Sequence, residues 1–499
     1  MPPVNMVART SSNENAHFVL VPLMTQGHII PMVDMARLLA ERGAVVTLVT
    51  TPINASRIKI TMDIVHLSGL PIRFPELRFP CDVVGLPLGC ENLDLITDRS
   101  HFHSFFKATS LLREPLLVYL REQQRPPSYV FFDVCTPWAA DIARELNIPR
   151  MVFHGYLAFS LLCLHNIRQH NLYKQVTSNN EAFNVPGLPQ DHQVIQVTKA
   201  KAPGIFNSPG WEKFHDEIIE AEMNADGVIL NSFHDLESPY VEAYEQALGA
   251  KAWAVGPFSL CLKDDDFISK AARGNKASID EQQCLSWLDT MEIGSVIHAS
   301  FGSITHMSPA QLIEIGTGLE ESGHPFIWVI KKSEMSPEVE QWLKEGFEER
   351  VKSRGVVVKG WAPQLMILSH PAVGGFMTHC GWNSVLEAVS IGVQMLTWPH
   401  FADQFLNEKL VVDVLKIGIT MGIETGMVLV KSDKVEMSVR CLMDQGDGRL
   451  ERRWRVKELS RMARKAMEGG GSSYENTTLL IEHVLVMQNE KKVLQGNKL

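Results

Sequence analysis

The chain has 499 residues, of which 45% are hydrophobic and 21% are charged, and this composition excludes global disorder and fibrous repeats. It is too long for one compact core, so we expect two domains. The 47 Lys and Arg residues against 57 Asp and Glu residues give a net charge of −10, which argues against a nucleic-acid-binding protein because such proteins usually carry a basic excess.

The cysteine pattern and the apolar runs indicate where in the cell the protein is expected. None of the eight cysteines forms a C-x-x-C pair and several lie in apolar runs, which is typical of buried thiols in a reducing environment. The first 16 residues contain no apolar core of a signal peptide, and no apolar run is long enough to span a membrane. We expect a cytoplasmic monomer without stable membrane insertion.

The first half of the chain alternates apolar, β-branched runs with helical patterns. After the first run we predict a turn at Gln26–Gly27 and a helix that opens at Pro31, since proline suits the first turn of a helix. This alternation predicts a doubly wound α/β domain. The predicted strands are 17–23, 45–50, 129–134, 150–154, 227–233 and 252–257, and the clearest helices are 138–146 and 235–249.

A polar, charged segment without a clean period, residues 258–281, interrupts this rhythm and is predicted to link two domains. We expect an N-terminal domain over 1–257, a C-terminal domain over 282–473, and a final helix within 474–499 that packs back on the N-terminal domain. The predicted fold is two Rossmann-like α/β domains that face a central cleft. The strands of the second series are 294–303, 325–330, 355–361, 374–380 and 394–399.

Two residues of the first half are candidates for acid–base chemistry. His28 lies just past the first strand and Asp133 ends another, so both should reach the crevice beyond the carboxyl ends of the strands. A histidine held by a carboxylate is a general-base pair, because the carboxylate fixes the tautomer and stabilises the imidazolium. Taken alone, His28 could equally be a structural histidine and Asp133 a helix cap. A serine hydrolase would need the motif G-x-S-x-G, which the sequence lacks.

Residues 361–404 carry the most specific pattern in the chain. A strand leads through Gly381–Trp382 into a helix that begins near Asn383. A helix N-terminus after a glycine is an anion site, because its free N–H groups and its dipole both favour negative charge. The side chains suited to a nucleotide are His379, Asn383 and Ser384 for a diphosphate, Glu387 for a ribose diol and Trp361 for a base, with Phe301–Gly302–Ser303 as a second turn near the phosphates.

This block of 44 residues resembles the signature box of plant secondary-product UDP-glycosyltransferases. Its most specific parts are H-C-G-W-N-S at 379–384 and D-Q at 403–404. The resemblance extends over most of the chain, through N-S-F-x-x-L-E at 231–237, V-G-P at 255–257 and S-F-G-S at 300–303. The basic helix followed by G-G-S-S is similar to the triterpenoid-, steroid- and flavonoid-active branch of that family.

The resemblance implies the GT-B fold and an inverting, metal-independent transfer of glucose from UDP-glucose, a co-substrate, to a hydroxyl of a lipophilic plant metabolite. It implies no resident cofactor. His28 would be the general base, Asp133 would orient it, and Gln404 favours UDP-glucose, since a closing His accompanies UDP-galactose or a pentose donor. The implied donor contacts are Trp361 and the backbone of Ala362 for uracil, Gln364 and Glu387 for ribose, Ser303, His379, Asn383 and Ser384 for the diphosphate, and Trp382, Asp403 and Gln404 for the sugar.

Two other functions are alternatives to this one. A nicotinamide dehydrogenase needs G-x-G-x-x-G after the first strand, where this chain has M-T-Q-G-H. A non-catalytic binder of UDP-sugars or lipophiles would have lost the base or its partner, yet His28 and Asp133 are both present. Neither metal-ligand candidate, His101-Phe-His103 or Asp264–Asp266, is convincing, and the second is expected to be a solvated part of the linker.

The acceptor is the open part of the sequence interpretation. Loops around 72–105 and 154–205 would build its pocket, and their aromatic residues suit a flat or polycyclic acceptor or else belong to the core. Two histidines depart from the family's common residues. His298 lies in a strand, and His400 is either a loop filler or a contact of the sugar or acceptor.

Overall fold

The computed structural model of the protein describes residues 15–189, 194–204, 206–262, 267–424 and 429–496. Residues 1–14, on which most of the signal-peptide prediction rests, lie outside these ranges. The Asp264–Asp266 run also lies outside them. Among the described helices, none combines the length and the apolar character needed to cross a bilayer.

A parallel sheet in the order β3-β2-β1-β4-β5-β8-β9 forms the N-terminal half. Neighbouring strands are parallel throughout, and β6 and β7 form a separate antiparallel hairpin. The strands β1 and β4 are almost completely buried, as expected when helices cover both faces of a parallel sheet. The strands are β1 (His17–Val21), β2 (Val45–Leu48), β3 (Ile72–Arg73), β4 (Tyr129–Asp133), β5 (Arg150–His154), β6 (Ala182–Asn184), β7 (Gln196–Thr198), β8 (Gly227–Leu230) and β9 (Lys251–Ala254).

Helices follow or separate these strands. They are α1 (Gln26–Glu41), α2 (Pro52–Arg57), α3 (Lys59–Leu67), α4 (Cys81–Val84), α5 (Phe102–Ser110), α6 (Arg113–Arg121), α7 (Trp138–Glu145), α8 (Ala158–Gln169), α9 (Glu212–Met223) and α10 (His234–Leu248). Several of the largest fully buried side chains of this half lie on the sheet itself, among them Phe18, Phe131 and Phe153.

A second parallel sheet, in the order β12-β11-β10-β13-β14-β15, forms the C-terminal half. Its strands are β10 (Val296–Ser300), β11 (Phe326–Ile330), β12 (Gly355–Lys359), β13 (Val373–Thr378), β14 (Gln394–Thr397) and β15 (Gly418–Thr420). The helices from the linker onward are α11 (Phe267–Ala271), α12 (Glu281–Asp289), α13 (Pro309–Glu321), α14 (Pro337–Trp342), α15 (Glu348–Val351), α16 (Gln364–Leu368), α17 (Trp382–Ile391), α18 (Gln404–Lys409), α19 (Ser432–Met443), α20 (Asp447–Met467) and α21 (Ser472–Gly496).

Every strand predicted from the sequence is present, mostly with shorter ends, so the expected pair of α/β sheets is confirmed. The strands that the sequence did not indicate are β3, β15 and the β6–β7 hairpin. Both β3 and β15 lie at sheet edges and have two and three residues, so they contain no apolar run to detect.

The predicted start of the first helix was wrong. Helix α1 begins at Gln26, and Pro31 lies inside it. A proline in the second turn has no N–H, so the carbonyl of Gly27, four residues earlier, has no intrahelical partner at that position. That carbonyl instead accepts a hydrogen bond from Nδ2 of Asn383 in the C-terminal half. His28 therefore lies in the first turn of α1.

Helix α21 packs against β9 at the edge of the N-terminal sheet. Ser473 Oγ donates a hydrogen bond to the carbonyl of Gly256 at 2.6 Å, and Asn476 Nδ2 donates to the carbonyl of Ala254 at 3.0 Å. The chain thus passes from the N-terminal half to the C-terminal half after β9 and returns between α20 and α21. The two crossings touch at Gly256.

Candidate active site

A cleft of about 600 Å³ lies between the two sheets, at the carboxyl ends of their strands. This is where ligands bind in open α/β sheets, since loops from neighbouring strands diverge there. His28 lines the cleft and Asp133 lies behind it. The cleft is also lined by every residue predicted to contact the donor, namely Ser303, Trp361, Ala362, Gln364, His379, Trp382, Asn383, Ser384, Glu387, Asp403 and Gln404.

His28 and Asp133 meet at the centre of the N-terminal sheet, because they follow the adjacent strands β1 and β4. His28 Nδ1 lies 2.6 Å from Asp133 Oδ2, and the other carboxylate oxygen accepts a hydrogen bond from the backbone N–H of Cys135 at 2.9 Å. Asp133 is completely buried, whereas the His28 side chain is 20% exposed. The carboxylate is thus fixed on both oxygens, and the opposite edge of the imidazole faces the cleft.

The pKa of His28 results from two opposing effects. Burial lowers it, but the charge of Asp133 and the hydrogen bond to its carboxylate raise it more, with a smaller contribution from the charge of Asp403, so the net shift is upward. A raised pKa makes the neutral imidazole a stronger base and stabilises the imidazolium once a proton has been taken.

His379, at the end of β13, is held between two glycines. A Cβ atom at Gly302 or at Gly381 would overlap its imidazole ring, and Gly302 also has a φ of +72°. Burial, with smaller contributions from His400 and Lys331, lowers the pKa of His379 to about 3. The ring is therefore neutral near pH 7, and it can offer a nearby anion an N–H donor but no charge. Among the described residues its Nδ1 has no hydrogen-bond partner.

The first residues of α17 are partly engaged with the N-terminal half. Trp382 Nε1 donates to the carbonyl of Asn231 at 2.8 Å, and Asn383 Nδ2 donates to the carbonyl of Gly27. The indole N–H of Trp382 is therefore used between the halves, and a sugar contact of this residue would have to involve its backbone. The N-terminus of α17 lines the cleft, and a helix N-terminus carries free N–H groups suited to the diphosphate that the sequence predicted there.

The linker forms part of the wall of the cleft. Glu387 Oε2 accepts a hydrogen bond from Gln364 Nε2 at 2.8 Å, and Oε1 accepts one from Arg273. Ser278 N donates to the carbonyl of Trp361 at 2.8 Å, and Trp361 N donates to Ser278 Oγ at 3.0 Å. Arg273 and Ser278 were missed because they lie in the segment that the sequence indicated only as a linker.

A buried amide organises the end of the cleft at α18. Asn407 Nδ2 donates to Asp403 Oδ2 at 2.7 Å and to the carbonyl of Cys380 at 2.8 Å, and its Oδ1 accepts from Ser160 Oγ at 3.0 Å. Burial raises the pKa of Asp403 to about 7, although the hydrogen bond from Asn407 lowers it. Asn407 was also missed, since nothing in the sequence separates it from other polar helix residues.

Gln404 begins α18 beside Asp403. Its Oε1 accepts hydrogen bonds from the backbone N–H groups of His400 and Phe401, at 2.8 and 3.1 Å. These two bonds fix the orientation of the side-chain amide, so Nε2 is the end that remains for a ligand in the cleft.

The N-terminal side of the cleft is largely apolar. Of the aromatic residues in the predicted acceptor loops, Phe106, Tyr156 and Phe206 line it, whereas Phe105 and Phe159 are fully buried in the core. The other aliphatic lining residues of this half are Leu23, Ile30, Leu93, Leu95 and Val134.

Three other histidines that the sequence singled out pack against aromatic side chains. His298 is fully buried and stacks on Phe376, and burial lowers its pKa to about 3. His400 packs against Phe301 and Trp398. His103 stacks on Trp211, and within the described ranges no group of His, Cys, Asp and Glu has the arrangement of a metal site.

Comparison with known families agrees with this architecture. Residues 275–444 match the family described as UDP-glucoronosyl and UDP-glucosyl transferase, and residues 14–260 match the glycosyltransferase N-terminal domain. UDP-glycosyltransferase 73C3 of Arabidopsis thaliana is 47% identical over 487 residues, covering 95% of this chain and 97% of that protein. UDP-glycosyltransferase 73C11 of Barbarea vulgaris is 45% identical over 481 residues, covering 94% and 96%.

Solved structures show the same fold. Glycyrrhiza uralensis UGT73P12, complexed with glycyrrhetinic acid 3-O-monoglucuronide, superposes with a TM-score of 0.88 at 37% identity, covering 97% of this chain and 99% of that one. Phytolacca americana UGT2, complexed with UDP-2fluoro-glucose and pterostilbene, gives a TM-score of 0.74 at 27% identity and covers 94% and 99%. The chain therefore belongs to the plant UDP-glycosyltransferases and is a glycosyltransferase with the GT-B fold.

Proposed function

We propose that this enzyme transfers glucose from UDP-glucose to a hydroxyl group of a lipophilic small molecule, with inversion at the anomeric carbon and without a metal ion. The observation that carries the proposal is the 2.6 Å pair of His28 and Asp133 on one side of the cleft, opposite the helix N-terminus that faces it from the other half.

The reaction is a single displacement. The acceptor oxygen forms a bond to the anomeric carbon of glucose while the bond from that carbon to the diphosphate oxygen breaks. The proton of the acceptor hydroxyl passes to Nε2 of His28, and Asp133 stabilises the resulting imidazolium through Nδ1–H. Because the base and the diphosphate site lie on opposite sides of the cleft, the α-linked donor gives a β-glucoside.

The leaving diphosphate would be stabilised by groups of the C-terminal half. The N-terminus of α17 supplies backbone N–H groups and a favourable dipole, and His379, Ser303 and Ser384 supply neutral donors. We include metal independence in the proposal because these donors are directed at the position where charge develops.

The donor sugar is proposed from the end of the cleft at α18. Asp403 and the Nε2 end of Gln404 provide an acceptor and a donor for sugar hydroxyls, and the fixed amide of Gln404 supports the preference for glucose. Glu387 and Gln364 are proposed to hold the ribose, with Trp361 stacked on uracil and the backbone of Ala362 bonded to its edge.

The apolar wall formed by Phe106, Tyr156 and Phe206 suits a flat or polycyclic acceptor. The glycyrrhetinic acid glucuronide in the 37% identical relative and the pterostilbene in the other support testing triterpenoid and phenolic acceptors first.

The test is a mass-spectrometric screen in the presence of EDTA. Purified enzyme is incubated with single UDP-sugars and with pooled triterpenoid, steroid and flavonoid acceptors, and we expect a mass increase of one hexose with UDP-glucose. Product with only UDP-galactose or a pentose donor would overturn the donor assignment, and activity that EDTA abolishes would overturn metal independence. UDP binding without any product would favour the non-catalytic alternative.

A further inference from the structure

Arg273 of the linker lies between two buried carboxylates that belong to different halves of the molecule. Its Nη2 and Nε lie 2.7 and 2.9 Å from Asp34 Oδ2 on α1, and its Nη1 donates to Glu387 Oε1 on α17. The exposed fractions of the Arg273, Asp34 and Glu387 side chains are 11%, 3% and 8%. A guanidinium so shielded from water interacts much more strongly with its partners than a surface pair does.

The partner on α1 connects this contact to the general base. Asp34 follows His28 by about two turns of the same helix, so a group that holds Asp34 also limits how that helix moves. A second bond supports the same connection, since Gln26 Nε2 donates to Asn275 Oδ1 at 2.9 Å. The linker is thus attached to α1 on both sides of His28.

The partner on α17 is the carboxylate proposed to hold the ribose. Each oxygen of Glu387 receives one hydrogen bond, from Arg273 or from Gln364. A carboxylate accepts about four hydrogen bonds, so about two acceptor sites remain, which is the number that a ribose diol needs. Arg273 and Gln364 therefore fix the plane of the carboxylate without using all of its acceptor sites.

The residue after Arg273 is also shaped to this site. Gly274 has a φ of +91°, and a Cβ atom there would overlap the indole of Trp361. The linker therefore lies directly against the aromatic residue proposed to stack on the base, and its position defines the nucleoside end of the cleft.

We propose that Arg273 is a positioning residue that holds Glu387 in place for the ribose diol of the donor and anchors the helix of His28 to the donor site. This inference rests on the proposed function, because it requires a uridine nucleotide in this cleft. It separates two effects: the bond to Glu387 concerns nucleotide recognition, and the bond to Asp34 concerns the placement of the base.

The test compares the affinities of UDP and 2′-deoxy-UDP by calorimetry. In the wild type we expect UDP to bind more tightly than 2′-deoxy-UDP, because the deoxynucleotide has lost a hydroxyl that donates a hydrogen bond to Glu387. Arg273→Met should weaken UDP about 10-fold or more and 2′-deoxy-UDP less, because the deoxynucleotide keeps only one of the two hydroxyls that Glu387 would hold, so the ratio of the two affinities falls toward one. A role limited to general packing would instead weaken both nucleotides equally, and that result would overturn the inference.

Two further variants sharpen the comparison. Asp34→Asn leaves the bond to Glu387 in place, so we expect the affinity ratio to persist and kcat to fall; an unchanged kcat would overturn the anchoring of the His28 helix. Arg57→Met is the matched control, since it removes another half-buried guanidinium of the same cleft that pairs with Asp94 rather than Glu387. The affinity ratio should survive this change.

The outcomes also separate this inference from the proposed function. A wild-type protein that does not bind UDP, or binds both nucleotides equally, would contradict the assignment of the donor site itself. A wild type that discriminates and an Arg273→Met variant that discriminates equally well would leave the donor site intact and overturn only the role of Arg273. Circular dichroism and thermal melting without ligand establish whether each variant is folded. If Arg273→Met does not fold, Asp34→Asn still tests the anchoring of the helix.

Discussion

At the scale of single residues, the proposed chemistry depends on one imidazole whose two edges have different surroundings. Asp133 occupies the Nδ1 edge of His28, and the other edge faces the cleft. The sequence indicated this pair because each residue ends or follows a strand, and the structure adds that strands β1 and β4 are neighbours in the sheet. It could not show that burial and the carboxylate shift the pKa in opposite directions, since that depends on the depth of the ring in the folded protein.

The pH dependence of the rate tests this pair. As the proposed base, His28 can accept a proton only when it is neutral, so kcat/KM should rise as the pH passes through its pKa, which Asp133 raises above the ordinary value of about 6.5. Asp133→Asn removes the charge but leaves the burial, so the rising limb should move to lower pH. The maximal rate should fall by roughly 10²–10⁴-fold while the affinity for UDP is retained.

His28→Ala is the companion variant and should abolish transfer with little change in UDP affinity. If the rising limb of the pH–rate profile does not move in Asp133→Asn, another group, such as Asp403 with its pKa of about 7, controls that profile.

At the scale of elements, the turn from β13 into α17 is built around the ring of His379. The sequence predicted this turn well, because a strand, a turn at Gly381 and a helix follow each other directly in the chain. It predicted α1 less well, since Pro31 suited a helix start and only the folded protein shows the carbonyl of Gly27 bonded to Asn383. A bond between residues 356 positions apart leaves no local signal in a sequence.

Gly381→Ala tests the turn. Its added methyl group would overlap the imidazole of His379 and displace it, so we expect the affinity for UDP to fall about 10-fold and the affinity for uridine to persist. Calorimetry with both ligands measures the two effects. In a His379→Ala background the clash is absent, so Gly381→Ala should then reduce the affinity for UDP little further. A full additional loss of affinity, again about 10-fold, would show that the substitution acts through the backbone rather than through the imidazole ring. Gly469→Ala, in open space, is the control.

At the scale of the whole molecule, the two halves are joined by contacts that no local pattern predicts. Arg273 bonds to residues 239 and 114 positions away in the sequence, and it lies in a segment whose polar composition indicated only a connection between domains. The architecture of each sheet was predictable from apolar runs, because every strand is a local signal. The surfaces through which the sheets face each other were not predictable, since they consist of single polar residues whose partners are distant in the sequence.

The attachment of α21 gives a prediction at this scale. Ser473→Ala together with Asn476→Ala removes two hydrogen bonds to backbone carbonyls at the end of β9, and we expect the free energy of unfolding to fall by about 1–2 kcal/mol. Urea denaturation measures the change. Glu482→Ala, at an exposed position of the same helix, is the control and should have no measurable effect. A double variant as stable as the wild type would show that the apolar face of α21 alone holds the helix in place.

The double crossing at Gly256 also determines what happens when the backbone is cut. A single nick between α11 and α12 would divide the chain into two fragments, and the C-terminal fragment would still be attached to the N-terminal sheet by the non-covalent packing of α21 against β9. As long as α21 stays docked, the cleft can re-form without a new encounter of the two fragments. A nicked enzyme would therefore stay one particle through α21, but a cut between α11 and α12 falls in the segment of Arg273 and Ser278, which contact Glu387 and Trp361 in the cleft.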